Sequence, residues 1–191
     1  MKPALMALRR ACAVAVLFAS AAPALAVVLA DRLAPQSCQG DGEALALPPT
    51  LPSAALVAEL LHWIDAATSY DIAAALANPP EISFCSKGES IRYEDDILIV
   101  PNDLRAAYDW PNRRILLVQP WSADNPRDRS ALLHELVHHV QLLNRGFDCP
   151  QASEWETYKL QDAWLTENDV ESGFDWLLIY MASRCPRDHH P

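Results

Sequence analysis

His134-Glu135-Leu136-Val137-His138 brings two imidazoles and a carboxylate into five consecutive residues. On a helix, residues i and i+4 lie one above the other, so His134 and His138 can reach a single tetrahedral Zn²⁺ at roughly 2.0–2.1 Å per Zn–N bond. Glu135 is rotated round the helix axis and need not bind the metal. It is placed to act as general base, taking a proton from a water held by the zinc and passing it to a leaving amine. The same five residues could also be two structural histidines with no metal, so the elements around them must decide.

Asn125-Pro126-Arg127-Asp128 reads as a helix start, with Asn125 as N-cap, Pro126 at the first helical position and Asp128 near the positive end of the dipole. Gly146 reads as the stop. Between them Leu132, Leu133, Leu136, Val137, Val140 and Leu143 recur at helical spacing and leave His134, His138 and Gln141 on an adjoining face. A catalytic zinc takes a third protein ligand and keeps its fourth position open. The extension that would supply a third histidine is absent, because Gln141 and Asn144 stand where Gly and His are required. The next segment, Ser153 to Gln161, reads as a helix with Glu154 and Glu156 near its start. Two residues apart on a helix, they point roughly 200° away from each other, so one metal can take only one of them. Asp148 is a weaker rival, and the carboxylate that is not a ligand is expected to complement the helix dipole.

The segment from Ser130 to Leu165, with HELVHHVQ, then a Cys, then EWETYKLQDAWL, resembles a family of uncharacterised bacterial zincin-like metallopeptidases of gluzincin type. The resemblance covers about a fifth of the chain strongly and the region from Trp63 onward more diffusely. It implies an α+β, zincin-like single domain with an HExxH helix, a Glu-bearing second helix and a small antiparallel or mixed sheet. It also implies that Glu154, the first Glu of Glu-x-Glu-small-x, completes a zinc site with His134 and His138, with Glu156 in reserve. Peptide or protein would be the substrate. The alternatives are a non-catalytic zinc-binding domain, or an amide hydrolase acting on a cell-wall cross-link. A retained Glu135 speaks against the first, since a structural zinc site needs no base.

Composition narrows the setting. Lys2, Arg9 and Arg10 precede an uncharged stretch from Ala11 to Ala30 containing Ala24-Leu25-Ala26, which reads as a secretory signal peptide over residues 1–26 and, as the alternative, an uncleaved anchor. The expected location is therefore extracytoplasmic. The rest is long enough for one domain with its own core and carries no second long apolar run, so no stable membrane insertion is expected after cleavage. With 15 Lys and Arg against 25 Asp and Glu, the net charge is −10, and loss of the basic leader makes it more negative. A polyanion would be repelled, so nucleic acid is not an expected partner, and a monomer is expected. Beyond the leader remain Cys38, Cys85, Cys149 and Cys185, an even set suited to two disulfides. A Cys149–Cys185 bridge would tie the Glu helix to the C-terminal segment and leave Cys38–Cys85 for the N-terminal arm.

Residues 27–52 read as an arm or linker and residues 53–191 as the domain. Ser53 opens a helix carrying Leu56, Val57, Leu60, Leu61 and Ile64, and a second helical stretch spans about Tyr70 to Ala77 before Pro79-Pro80. Strands are expected at Glu81–Cys85, at Ala106–Asp109 and at Ile115–Val118, with Trp110-Pro111-Asn112-Arg113 as a hairpin turn. By analogy, Ile115–Val118 or its hairpin partner is the edge that would pair with an extended substrate. A last helix from about Glu171 to Ala182, with Phe174, Leu177, Leu178 and Met181, is expected to cover the core. His139 is expected beside the site or facing solvent, Tyr158 simply packed or else orienting a ligand or polarising a substrate carbonyl, and Gln141 along the cleft. His62, His189 and His190 have no motif to recruit them.

Overall fold

Apolar residues at helical spacing and short β-rich runs build an α+β structure, and the computed structural model describes residues 50–186 of it. In chain order the elements are α1 (Ala54–Ala67), α2 (Ala73–Ala77), β1 (Glu81–Cys85), β2 (Ser90–Tyr93), β3 (Asp96–Ile99), β4 (Ala106–Asp109), β5 (Arg114–Val118), α3 (Pro126–Asn144), a 3₁₀ turn (Pro150–Ser153), α4 (Glu154–Glu167) and α5 (Trp176–Ala182). The expected leader, nearly all of the expected arm, and Cys38, His189 and His190 lie outside the described residues.

Local chemistry fixes the helix starts. The Ser53 side chain accepts from the Leu56 N–H and the Asn125 side chain accepts from the Arg127 N–H, so each satisfies an amide that has no partner within its helix. Helix α3 ends at Asn144, two residues before Gly146, because Arg145 turns to extended backbone while its N–H still bonds Gln141 O. Every residue from Ser130 to Gln141 is buried, so α3 is the central helix and not an amphipathic cover.

Strands β1, β5 and β4 form one mixed sheet in that order, β1 parallel and β4 antiparallel to β5. Ile115 and Leu117 on one face pack with Leu132, Leu136 and Val137 of α3, while Leu116 and Val118 on the other face meet Ile91 and Val100. This corrects one expectation. The Ile115–Val118 strand is central, so of the two it is the hairpin partner β4 that lies at an edge, with β1 at the other edge of the sheet. The hairpin is pinned by Asp109, fully buried and bonded to Asn112 Nδ2 at 2.9 Å and Arg114 Nη2 at 2.9 Å. Strands β2 and β3 make a separate antiparallel hairpin, closed by Glu94 and Asp95 at φ 48° and 67°. That two-residue loop in left-handed backbone is normally signalled by Asn-Gly, and its acidic sequence hid the hairpin from pattern reading.

The last helix also departs from expectation. It begins at Trp176, where the Asp175 side chain accepts from Leu178 N–H, and Leu177, Leu178 and Met181 are 73, 65 and 63% exposed. Only Ile179 is buried, so α5 does not cap the core. A Cys149–Cys185 disulfide ties its C-terminal side to the start of the 3₁₀ turn. Cys85 is buried in β1.

Candidate metal centre

Helix α4 runs antiparallel to α3, with Gln161 meeting Ser130 and Glu156 meeting Gln141, and this packing sets Glu154 opposite the two histidines. Glu154 Oε2 lies 3.3 Å from His134 Nε2, Glu154 Oε1 lies 3.3 Å from His138 Nε2, and the two Nε2 atoms are 3.2 Å apart. Four donors placed at about 2.0–2.1 Å around a tetrahedral zinc are separated by roughly 3.3–3.4 Å, so these three fit three corners. Together they form a group that could hold one metal ion.

The hydrogen bonds behind the histidines decide which nitrogen faces inward. His134 Nδ1 is 2.9 Å from Gln161 Oε1, and Gln161 Nε2 is committed to Ser130 Oγ. The amide oxygen can only accept, so the His134 proton sits on Nδ1 and its Nε2 lone pair points at Glu154. His138 Nδ1 faces Gln141 Oε1 at 3.3 Å and Ser153 Oγ at 3.3 Å, and the Ser153 hydroxyl already donates to Pro150 O. Its proton is placed on Nδ1 in the same way. Two lone pairs and a carboxylate therefore converge, an arrangement that could hold a metal ion. Burial works against the charged form of Glu154, yet a positive centre between the carboxylate and the two ring nitrogens, whether a proton or a metal ion, outweighs that and holds its pKa well below the ordinary carboxylate range.

The other carboxylates are elsewhere. Glu156 Oε2 accepts from Tyr70 Oη at 2.5 Å, Arg145 Nη2 at 2.6 Å and Gln141 Nε2 at 2.9 Å, outside the cluster. Asp148 is exposed and outside the cluster. Glu135 is buried next to it, and burial, reinforced by Glu154 and opposed by His134 and the Tyr108 backbone N–H, pushes its carboxyl up to about 7.

A cavity of about 490 Å³ opens onto His134, Glu135, His138 and Glu154. A smaller one of about 210 Å³ reaches His134 and Glu135 from the Gln161 and Phe174 side, and Tyr158 lines both. The Tyr158 ring stands edge-on to His134 with centroids 4.6 Å apart. Among the described residues the hydroxyls of Tyr70, Tyr93, Tyr108 and Tyr180 are hydrogen-bonded, whereas that of Tyr158 has no partner. Burial, then Glu154 and Glu135, raise its pKa, so it stays a donor.

Residues 49–191 match the model of a family described as a domain of unknown function, DUF6647. The chain belongs to that family. No curated protein and no solved structure matches it.

Two expectations for this DUF6647 chain are corrected by the geometry. Gln141 does not line the cleft: it is fully buried between α3 and α4, joining His138 to Glu156. His139 does not face solvent either. Its ring is buried, Nδ1 lies 2.9 Å from Tyr108 Oη, and burial lowers its pKa to about 4. His62 is exposed. Gln161 belongs to no motif, and its one signal in the sequence is spacing, since a residue seven after Glu154 returns to the same helix face.

Proposed function

We propose that this protein is a zinc-dependent peptidase of gluzincin type, with His134, His138 and Glu154 holding the metal and Glu135 as general base. The observation that carries this reading is the convergence of two imidazole lone pairs and a carboxylate at 3.2–3.3 Å, beside a second carboxylate that no ligand role requires. Two nitrogens and one oxygen on a tetrahedral frame suit zinc better than the oxygen-seeking calcium or magnesium. When bound, zinc supplies Lewis acidity, which brings water within reach of deprotonation near neutral pH and draws charge from a carbonyl oxygen.

The chain's own groups supply the rest. Glu135, with a carboxyl held near 7, is matched to accept a proton from water and to return it to the departing amine. Tyr158 has a free phenol in the cleft and is suited to donate to the carbonyl oxygen as charge gathers there. Strand β4 supplies the rail. Val118 N–H bonds Arg105 O, so by antiparallel alternation Ala106 and Tyr108 turn their peptide groups outward. Tyr93 Oη already donates to Tyr108 O, which leaves Ala106 to pair with an extended peptide.

The disulfide supports an extracytoplasmic location, reached by the leader proposed over residues 1–26. Among the described residues no helix is long and apolar enough to cross a membrane. The test is zinc content together with cleavage of a peptide library by the purified protein and by Glu135→Gln. Zinc-dependent cleavage lost in the variant is the expected result. Stoichiometric zinc with no cleavage in either protein would reject the peptidase and leave a metal-binding domain.

A further inference from the structure

Helix α5 turns its apolar side chains outward. Leu177, Leu178 and Met181 are mostly exposed, Tyr180 is 44% exposed, and the patch runs on to Trp155 of α4, whose ring meets Trp176 and Tyr180 edge-on. A contiguous exposed apolar surface of this kind marks a site of contact. Its place in the fold indicates with what. Leu178, Ile179 and Ala182 of the same helix also wall the cavity above the metal cluster, facing Leu104 and Trp110 across it. The exposed patch and the cleft are therefore one continuous surface, with Leu178 belonging to both.

The chemistry of that cavity is one-sided. Its charged side chains are Glu135 and Glu154, and both are committed to the metal and its base. An anionic substrate side chain entering here would lose its water and gain no opposite charge, whereas an apolar one would bury its surface against Leu178, Ile179 and Trp110. The wall is held in place before any substrate arrives. Asp175 caps α5, Trp155 and Trp176 pack at its start, and Cys149–Cys185 fixes its end.

We propose that this wall is the specificity pocket: the substrate is a peptide presenting a bulky apolar side chain, of Leu, Ile, Met or Phe type, beside the scissile bond. Flanking apolar residues rest on the outer face of α5, and Leu178 is a specificity-determining residue. The inference rests on the peptidase reading and names its substrate class.

Peptide hydroxamates test it without requiring turnover, because they grip a metal whether or not the protein cleaves. With zinc-loaded protein, hydroxamates carrying Leu or Phe next to the chelating group should bind roughly ten-fold or more tightly than Ala, and Asp more weakly still. Leu178→Asp and Leu178→Ala should flatten that ranking while zinc content and melting temperature stay near those of the parent. A flat ranking in the parent, an unchanged ranking in both variants, or no hydroxamate binding overturns the inference. So does a concentration-dependent sedimentation coefficient in the free protein that Leu177→Asp abolishes, which would assign the outer face of α5 to a second copy. An apolar ranking with no peptide cleavage would instead reject the peptidase and keep the pocket.

Discussion

Each histidine of the cluster is steered by a different glutamine, and the two arrangements are not equivalent. Gln161 holds His134 from α4 and is itself anchored on Ser130, whereas Gln141 holds His138 from within α3 and is anchored on Glu156. Removing such outer partners typically costs 10–100-fold in metal affinity. Glu154→Ala should therefore abolish stable zinc binding, and Glu156→Ala, although not a ligand, should weaken it roughly ten-fold through the loss of Gln141's anchor. Competition with a chelator reads both. Equal, undiminished affinity in the two variants would remove Glu154 from the site. Glu135→Gln and Tyr158→Phe should keep zinc and lose hydrolysis, by about 10²–10⁴-fold and 10²–10³-fold in kcat. The grouping of His134, Glu135 and His138 was legible in the sequence because it is compressed into little more than one helical turn. Glu154 was legible only through resemblance, since nothing local separates it from Glu156. What separates them is tertiary: Glu156 meets Arg145 at the end of α3 and Tyr70, 86 residues away along the chain.

At the scale of elements, those with self-contained signals were readable and those fixed by long-range contact were not. Capped α1 and α3 and the hairpin of β4 and β5 follow from Ser53, Asn125 and the four residues of the turn. The apolar period of α5 suggested burial, but the period reports that one face is apolar, not what will cover it. Its attachment is covalent, and that gives a prediction. Closing a loop of 36 residues contributes about 2–4 kcal/mol, so Cys185→Ser should lower stability by roughly that amount. It should also speed hydrogen exchange in α5 ahead of α3 and raise KM more than it lowers kcat. Unchanged exchange in α5 would mean that the helix is held without the bridge.

For the molecule as a whole, two linked equilibria are expected. A metal that binds only the folded chain stabilises it by about 4 kcal/mol at a thousand times Kd, on the order of 10 °C in Tm, so chelation should produce a fall of that size. His139 sets an acid dependence. Its pKa is about 4 in the fold against an ordinary 6.5, so the unfolded chain takes up the proton first as pH falls. Stability from this group is complete above about 6.5 and is lost between there and 4, by roughly 2–4 kcal/mol. Chelated protein and chelated His139→Gln, melted across that window, should differ in slope, with the variant the flatter. The edge of the sheet carries a further consequence. Tyr93 and Glu135 engage the outward peptide groups of Tyr108, so β4 shows a passing strand little more than the single residue Ala106. That is too short a template for one copy of the chain to stack on another along β4, and this edge is guarded against fibrous self-association while still open to a substrate. Tyr93→Phe would lengthen the exposed template by a carbonyl, trading colloidal solubility for a firmer hold on extended chains.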